Sequence, residues 1–454
     1  MSGIDERTKK KIADKLKWRT PGCFHTPKYK LGIWDGYISL FKNGWTYLNL
    51  IDDTILEILD AAGYEFNIID NRITEPVEIE PVDENLFAEF IGPDGEPTKL
   101  RDYQVYAINK IVENPAGIFV MATGAGKTIV TAGIANRFKG LGKTIVIVPT
   151  INLVNQTAKT FNAVGLECGE FYGEEKIVKE YTISTWQSLI NYPEILEGVV
   201  CLIADECHEY TAQEVFEVMT VAGKHVPHRY GFTGTMPKDD LGLNQLFSAL
   251  GAVLYEKAAY ELQQEGYLSD CHVTIVQTQE PVKNLGSFQS EIKILSNNPN
   301  RNRFIAELVE EIAETGNTLV LVQHTKFGEM LEDLIPGSLF MAGSGKRGVK
   351  AKKRQVEYDK IQTTDNSILI CTYGIASTGI DIPRIFNIVI FEAGRSFTKV
   401  IQSVGRSLRR AHDKDFANVY DVCANTKYSN NHKLQRIKYY KEAKYPYSLQ
   451  KVKY

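Results

Sequence analysis

Long apolar runs are missing from this 454-residue sequence, and so is an apolar leader. Stretches such as "TIVIV", "TLVLV" and "SILIC" are about five to eight residues long. A membrane-spanning helix needs roughly twenty. The N-terminus "MSGIDERTKKKIADKLKW" is charged, with no segment that a secretory signal would require. No C-x-x-C pair occurs among the seven cysteines. Their scatter argues against a disulfide framework and fits a reducing compartment. Cys201, Cys207 and His208 lie close together, but their spacing matches no zinc site. No fixed-period repeat is visible either. These absences leave a cytosolic globular protein with no membrane partner. Its length allows two or three domains, and 43% apolar residues suffice for sizeable cores.

A marked excess of one charge is also lacking, since the net charge is -4, but the average conceals segregation. Between Asp52 and Glu96 stand fourteen acids and a single cation, Arg72. In contrast, "KRGVKAKKR" (Lys346 to Arg354) places six cations in nine residues. The stretch from Lys427 to Tyr454 holds eight cations, six tyrosines and one acid, Glu442. Charge runs are mostly solvated faces, whereas interleaved Tyr and Lys/Arg suits a nucleic-acid surface. Two readings of each basic segment stay open. The run at 346–354 is a strand-guiding loop or a solvated helix, and the tail docks on DNA or on its own domain.

Residues 1–80 form a small α+β module. A basic amphipathic helix leads into "KYKLGIWDGYISLFKNGWTYLNL", where Asp35-Gly36 and Asn43-Gly44 signal hairpin turns. "DDTILEILDAAGY" follows as a helix with Ile55, Ile58, Leu59 and Ala62 on one face. Alternation alone does not separate a duplex-gripping aromatic surface around Trp34 and Tyr37 from a core built of Trp34, Trp45 and Tyr47. After an acidic, proline-containing linker the pattern changes to short buried strands alternating with helices. "GIFVM", "TIVIVP", "YTIST", "VVCLIAD" and "RYGFTG" fall within 81–265. "NTLVLVQ", "GSLFMA", "SILICT", "NIVIFE" and "NVYDV" fall within 266–454. Each set predicts a parallel sheet covered by helices, hence two α/β domains in tandem.

The first chemical signal is "MATGAGKT", placed between a strand and a helix. Glycines let backbone N–H groups reach phosphate oxygens, a lysine serves the β/γ-phosphates, and Ser/Thr serves Mg²⁺. Thr123, Gly124, Ala125, Gly126, Lys127 and Thr128 supply that set. The strict pattern wants Gly at position 121, where Met stands. The second cluster, "GSGKRG", lacks Ser or Thr after Lys346 and is no phosphate loop. "VVCLIADECH" then puts Asp205 and Glu206 at the end of a buried strand. One carboxylate would hold the metal and the other the attacking water. In "RDYQ", Gln104 has the amide geometry to pair with adenine, although an ordinary helix start explains it as well. In "QSVGRSLRR", Arg406 and Arg409 are three apart and would share a helix face as candidate arginine fingers. Arginines supplied by the second domain would put ATP in an inter-domain cleft that hydrolysis opens and closes.

Taken in order, "RDYQ", "MATGAGKT", "VPTINLVNQ", "STWQSL", "DECH", "TGT", "LVQHT", "CTYGIASTGIDIP" and "QSVGRSLRR" resemble the motifs of superfamily 2 helicases and translocases. The "DECH" box, the compact size and the leading module most resemble the recombination helicases of T4-like phages, with a T5-type branch-migration helicase as the expected counterpart. The resemblance implies tandem RecA-like domains, ATP and Mg²⁺ as cofactors, and 3′-to-5′ movement. It implies that Gln104 reads adenine, that Thr128 and Asp205 hold the metal, and that Glu206 handles water. His208, Thr233 and Thr235 would couple nucleotide to track. Pro149, Thr150, Ser184, Thr185 and Trp186 would touch the tracking strand, as would His324, Thr372, Ser377 and Thr378. Gly379, Asp381 and Gln402 would complete the ATP site with Arg406 and Arg409, and Arg410 leaves the identity of the finger open.

The expected function is a DNA helicase that remodels forks, four-way junctions and displacement loops in phage recombination, replication and repair, working as a monomer on branched or partly single-stranded DNA in the host cytoplasm. RNA remodelling is the alternative, and an ATP-switched nucleic-acid scaffold with no unwinding activity is a third reading. No nuclease constellation favours a restriction motor, and no RRM-type module favours RNA.

Overall fold

A computed structural model describes residues 1–51, 53–67, 69, 79–92, 95–211, 213–220, 225–342, 351–374, 382–391, 405, 408–411 and 413–454. Two units emerge from it. The first comprises Met1–Met121 with Gly126–Glu256, and the second Ala122–Ala125 with Lys257–Tyr454. No described helix is long and apolar enough to cross a membrane.

The first unit begins with the small module. Asp5 caps the helix Glu6–Lys15 by accepting the Thr8 N–H, and that helix turns Ile12 inward. Strand β1 (Lys17–Arg19) pairs antiparallel with β2 (Tyr37–Ser39). Asp35-Gly36 is therefore not a two-residue hairpin, because the partner of β2 lies some twenty residues back. The pair instead steers the chain into β2, with Asp35 Oδ1 accepting the Tyr37 N–H at 3.0 Å. Asn43-Gly44 does make the expected tight turn, joining β3 (Phe41–Lys42) to β4 (Trp45–Thr46). Both turn residues have the positive φ (53° and 82°) that a type I′ turn demands.

The module core is Ile12, Leu16, Leu40, Phe41, Leu50, Ile55 and Leu59. Trp34 is only half-buried, its Nε1–H donating to the Tyr37 carbonyl, and Trp45 is 78% exposed. Neither belongs to the buried core. Tyr47 packs edge-on against Phe216 at 5.0 Å, which fastens the module to the parallel-sheet part of the unit.

That sheet holds β5 (Ala116–Met121), β6 (Lys143–Val148), β7 (Cys168–Tyr172), β8 (Glu175–Lys176), β9 (Tyr181–Thr185), β10 (Val199–Ala204), β11 (His228–Thr233) and β12 (Val253–Lys257). Their order is β12-β5-β11-β10-β6-β9-β7-β8, and the pairings from β5 to β7 are parallel. Helices cover the sheet, so central strands such as β6 and β10 are almost wholly buried and spell as near-continuous apolar runs.

The second unit repeats the plan with β13 (Asp270–Thr278), β14 (Thr318–Val322), β15 (Leu339–Met341), β16 (Ile368–Thr372), β17 (Asn387–Phe391), β18 (Phe416–Ala424) and β19 (Tyr447–Val452). The order is β15-β16-β14-β17-β18-β13-β19, parallel throughout. The tyrosine- and lysine-rich tail is part of this domain. Its helix, Lys427–Glu442, packs on the sheet, and β19 forms the edge. The buried Glu291 carboxylate accepts the Ser429 N–H and the Thr426 hydroxyl, both at 2.7 Å, at the N-terminus of that helix. Arg436 and Asp421, both fully buried, form two 2.8 Å bonds, and the Tyr440 hydroxyl donates to Asp421 at 3.0 Å.

Removing one member of such a pair strands a buried charge. Arg436→Ala should lower the stability of the chain by about 3–5 kcal/mol, read as a shift in the urea midpoint. A change below about 0.5 kcal/mol, typical of an exposed pair, would contradict the role assigned to it.

Candidate nucleotide and nucleic-acid sites

The phosphate-loop sequence follows β5 and leads into the helix Lys127–Asn136. Met121 ends β5 fully buried, so position 121 is a core position here and needs no glycine. Gly124 and Gly126 have φ of 86° and 77°, values that exclude most side chains. A Cβ on Gly126 would also lie 2.5 Å from Gln104 Nε2. Gln104 is buried, and its Oε1 accepts the Arg101 N–H at 2.9 Å. It thus closes the start of the helix Asp102–Asn109 while lying beside the phosphate loop.

Lys127 Nζ donates to the Met121 carbonyl at 3.4 Å and lies 3.7 Å from Glu206 Oε1. Asp205 follows β10, its N–H bound to the Ile147 carbonyl, and its Oδ1 accepts the Glu206 N–H at 3.0 Å. Glu206 has φ of 50°, an uncommon value for a side chain of this kind and one that tends to occur at functional sites. Burial and the Glu206 carboxylate push the Asp205 carboxyl well above the usual carboxylate range, against the pull of Lys127. Two adjacent carboxylates facing one ammonium group suit a hard divalent cation, and Thr128 stands at the start of the helix to join them.

His208 extends this cluster. Its Nδ1 is 3.4 Å from Glu206 Oε2 and 2.9 Å from Thr233 Oγ1. The Thr233 hydroxyl donates to the Thr235 carbonyl at 2.8 Å, which leaves Nδ1–H as the donor to Thr233. Burial lowers the imidazole pKa, favouring the neutral ring. The three residues expected to couple the sites are therefore hydrogen-bonded in series.

Further along the same sheet edge, Pro149 and Thr150 follow β6, and Thr185 ends β9 in register with Val148. Thr150 caps the helix Ile151–Ala163. Ser184 differs from expectation. It is fully buried, its hydroxyl bound to the Phe171 and Thr185 carbonyls, so it supports the turn and offers nothing to a strand. Thr185 is also buried, its hydroxyl 3.1 Å from that of Ser188, and Trp186 packs partly against the core.

In the second unit, Thr372 ends β16 in register with Val322 of β14, and the exposed His324 follows two residues later. Both stand at one strand-end edge. Arg409 is not on the helix that its spacing from Arg406 suggests. It lies in an extended bridge with Leu268, and its Cγ is 3.7 Å from where a Cβ on Gly124 would stand. Arg410 Nη1 donates to the Gly266 carbonyl at 2.6 Å. Ser377, Thr378, Gly379, Asp381, Gln402 and Arg406 lie outside the described residues, as do residues 343–350 of the glycine- and lysine-rich stretch.

Family models match both units. Residues 97–238 match the type III restriction enzyme res subunit, and residues 300–411 match the helicase conserved C-terminal domain. This chain carries the paired domains of a superfamily 2 helicase. It is 25% identical to the ATP-dependent DNA helicase uvsW of Enterobacteria phage T4, over 99% of this chain and 96% of that one. The DNA 3′-5′ translocase XPB2 of Sulfurisphaera tokodaii is 34% identical over 46% of each chain. A fragment assigned to an HsdR subunit of a type I restriction enzyme from Vibrio vulnificus YJ016 shares the fold. That likeness has a TM-score of 0.58 at 17% identity, covering 82% of this chain and 71% of that one. Helicase domains of this kind use a nucleotide and act on nucleic acid. The T5-type counterpart expected from the motifs gains no support from these comparisons.

One part of the helicase C-terminal domain was not foreseen from the motifs. Lys414 is buried, and its Nζ donates to the Pro383 and Arg409 carbonyls, each at 3.0 Å. Beside it, Arg384 makes a two-pronged pair with Asp413 and a further bond to Asp365. The cluster ties the segment after "GIDIP" to the segment after "GRSLRR". Burial pulls the Lys414 pKa down to about 7, with Asp413 opposing and Arg409 reinforcing the shift. Between about pH 7 and the ordinary lysine value of 10.5 the unfolded chain binds this proton and the folded chain does not. Stability should therefore rise with pH across that window, by at most about 1.4 kcal/mol per pH unit. Urea midpoints of wild type and Lys414→Met should diverge from pH 7 to 9, with the wild type gaining. A difference independent of pH would refute the buried, proton-poor amine.

Proposed function

We propose that this chain is an ATP-driven DNA translocase that remodels branched DNA such as forks, four-way junctions and displacement loops, with 3′-to-5′ polarity. One observation carries the reading. The strand ends of a single sheet hold the residues assigned to the nucleotide and its coupling (β5, β10 and β11) and, on the next two strands, those assigned to the tracking strand (β6 and β9). His208, Thr233 and Thr235, which are hydrogen-bonded in series, adjoin the nucleotide residues, with His208 Nδ1 3.4 Å from Glu206 Oε2.

In this reading residues 81–265 bind and hydrolyse ATP, residues 266–454 supply the arginines, and both domains are RecA-like. Loop N–H groups from Thr123 to Gly126 and the Lys127 ammonium hold the phosphates, and Gln104 reads adenine. Mg²⁺, held by Thr128 and Asp205, would neutralise charge on the phosphate oxygens. Glu206 orients the attacking water and takes its proton. Arg409, whose Cγ lies 3.7 Å from where a Cβ on Gly124 of the phosphate loop would stand, would act with Arg406 on the transferring phosphoryl group, with Gly379, Asp381 and Gln402 alongside. Pro149, Thr150, Thr185, Trp186, His324, Thr372, Ser377 and Thr378 position the backbone without reading sequence.

DNA is favoured over RNA because the relatives at 25% and 34% identity are a DNA helicase and a DNA translocase by name. Action as a monomer in the cytoplasm, in recombination, replication and repair, belongs to the same proposal. A T5-type phage counterpart rests on the motifs alone.

The test is ATP-dependent dissociation of a synthetic four-way DNA junction without single-stranded tails. The wild type should resolve it, and Lys127→Ala should leave it intact while still folding. A wild type that ignores the junction yet unwinds tailed duplexes or RNA would overturn the branch-specific reading.

A further inference from the structure

The module at the start of the chain carries a surface that its own packing does not explain. Thr26 caps the short helix Pro27–Lys30, accepting the Tyr29 N–H, and the hydroxyl of Thr26 donates to the Cys23 carbonyl at 2.7 Å. The helix ends with Gly32 at φ 68°, the Gly32 N–H bonded to the Tyr29 carbonyl and the Ile33 N–H to the Lys28 carbonyl. This is a Schellman turn, a rigid closure that usually tucks the residue after the glycine back onto the helix. Here the opposite holds. Leu31 and Ile33 are each 72% exposed, and Phe24 is 53% exposed.

The turn is fastened rather than loose. Arg19 Nη2 donates to the Tyr29 hydroxyl at 3.1 Å, and buried Cys23 lies directly against Gly36. Charge around it is one-sided. From Lys15 to Ile51 there are six lysines and arginines and a single acid, Asp35, which is paired with Lys17 at 2.9 Å. Lys28, Lys30 and Arg19 are exposed beside the displayed aliphatics. Aliphatic side chains on a rigid support with flanking cations match the chemistry by which proteins wedge against a base step while gripping phosphates. A protein partner of opposite shape would need no such excess of positive charge.

We propose that the turn at residues 24–33 is the branch-contacting element. Leu31 and Ile33 press on the base pair exposed at a DNA branch point, and Lys28, Lys30 and Arg19 hold the phosphates on either side. This inference rests on the branched-DNA reading above, and its test is separable from that one.

Full-length wild type, Leu31→Ser/Ile33→Ser and Lys28→Ser/Lys30→Ser would be compared for affinity, without ATP, toward a four-way junction and a linear duplex of equal length. Both double variants should lose about tenfold in preference for the junction. The lysine variant should also flatten the plot of log affinity against log salt by about 1.8, the value for two duplex phosphates, whereas the aliphatic variant should keep its slope. ATP hydrolysis stimulated by single-stranded DNA should stay within about twofold, which shows that the motor is folded. Variants whose junction affinity equals that of the wild type would overturn the proposal and turn attention to a protein partner. Failure of the branched-DNA reading would appear elsewhere, as a wild type unable to dissociate the junction with ATP.

Discussion

Two carboxylates and one ammonium group, brought together by the ends of elements that are not adjacent in sequence, are the constraint on which the first domain turns. Lys127 opens a helix after β5, and Asp205 and Glu206 close β10, with β11 lying between those strands. Isolated, two acids in a poorly solvated corner repel each other, and the raised Asp205 pKa is the sign of it. The corner is comfortable only when more positive charge arrives. Under the proposed function, a bound nucleotide with Mg²⁺ would change the energy of this corner. A parallel sheet is what makes such a corner possible, because every strand delivers its last residue to the same edge.

Under the proposed function the same edge would also carry that change toward the nucleic acid. Strands lie about 4.8 Å apart, so the end of β9 is four spacings, or roughly 19 Å, from the end of β5. The residues beside Glu206 are not loose. His208, Thr233 and Thr235 form a hydrogen-bonded series with one consistent set of donors, a neutral His208 can hold its place in it, and Glu206 Oε2 lies 3.4 Å from His208 Nδ1. A bonded series of this kind has few alternative arrangements.

Much of this was legible in the sequence because it rests on local chemistry. The glycines of "MATGAGKT", the acids after "VVCLIA" and the buried strands each carry their own signal. What stayed hidden depended on partners far along the chain. Ser184 looks like a strand contact until its burial under Phe171 is seen. Arg409 suits a helix by spacing, yet it pairs in an extended bridge with Leu268, some 140 residues away. Asp35-Gly36 has hairpin chemistry, but β2 found its partner in β1. Strand β13 was missed because it mixes polar and apolar residues, and β19 because it is a half-exposed edge. Lys414 is an ordinary lysine in "HDKDF" until two distant carbonyls converge on it. Alternation left open whether Trp34 and Trp45 are core or surface, and the core is instead built of aliphatic residues with Phe41.

The central proposal is that nucleotide state reaches the DNA track through His208. The most direct measurement is the affinity for a DNA single strand with a non-hydrolysable ATP analogue and with ADP, in wild type and in His208→Ala. Coupling between two ligands is reciprocal and has a magnitude, commonly about 5- to 150-fold. The account predicts that the wild type distinguishes the two nucleotide states by about tenfold or more. It predicts that His208→Ala still binds both nucleotides but holds DNA equally in either state. A variant that keeps the full wild-type difference would contradict it.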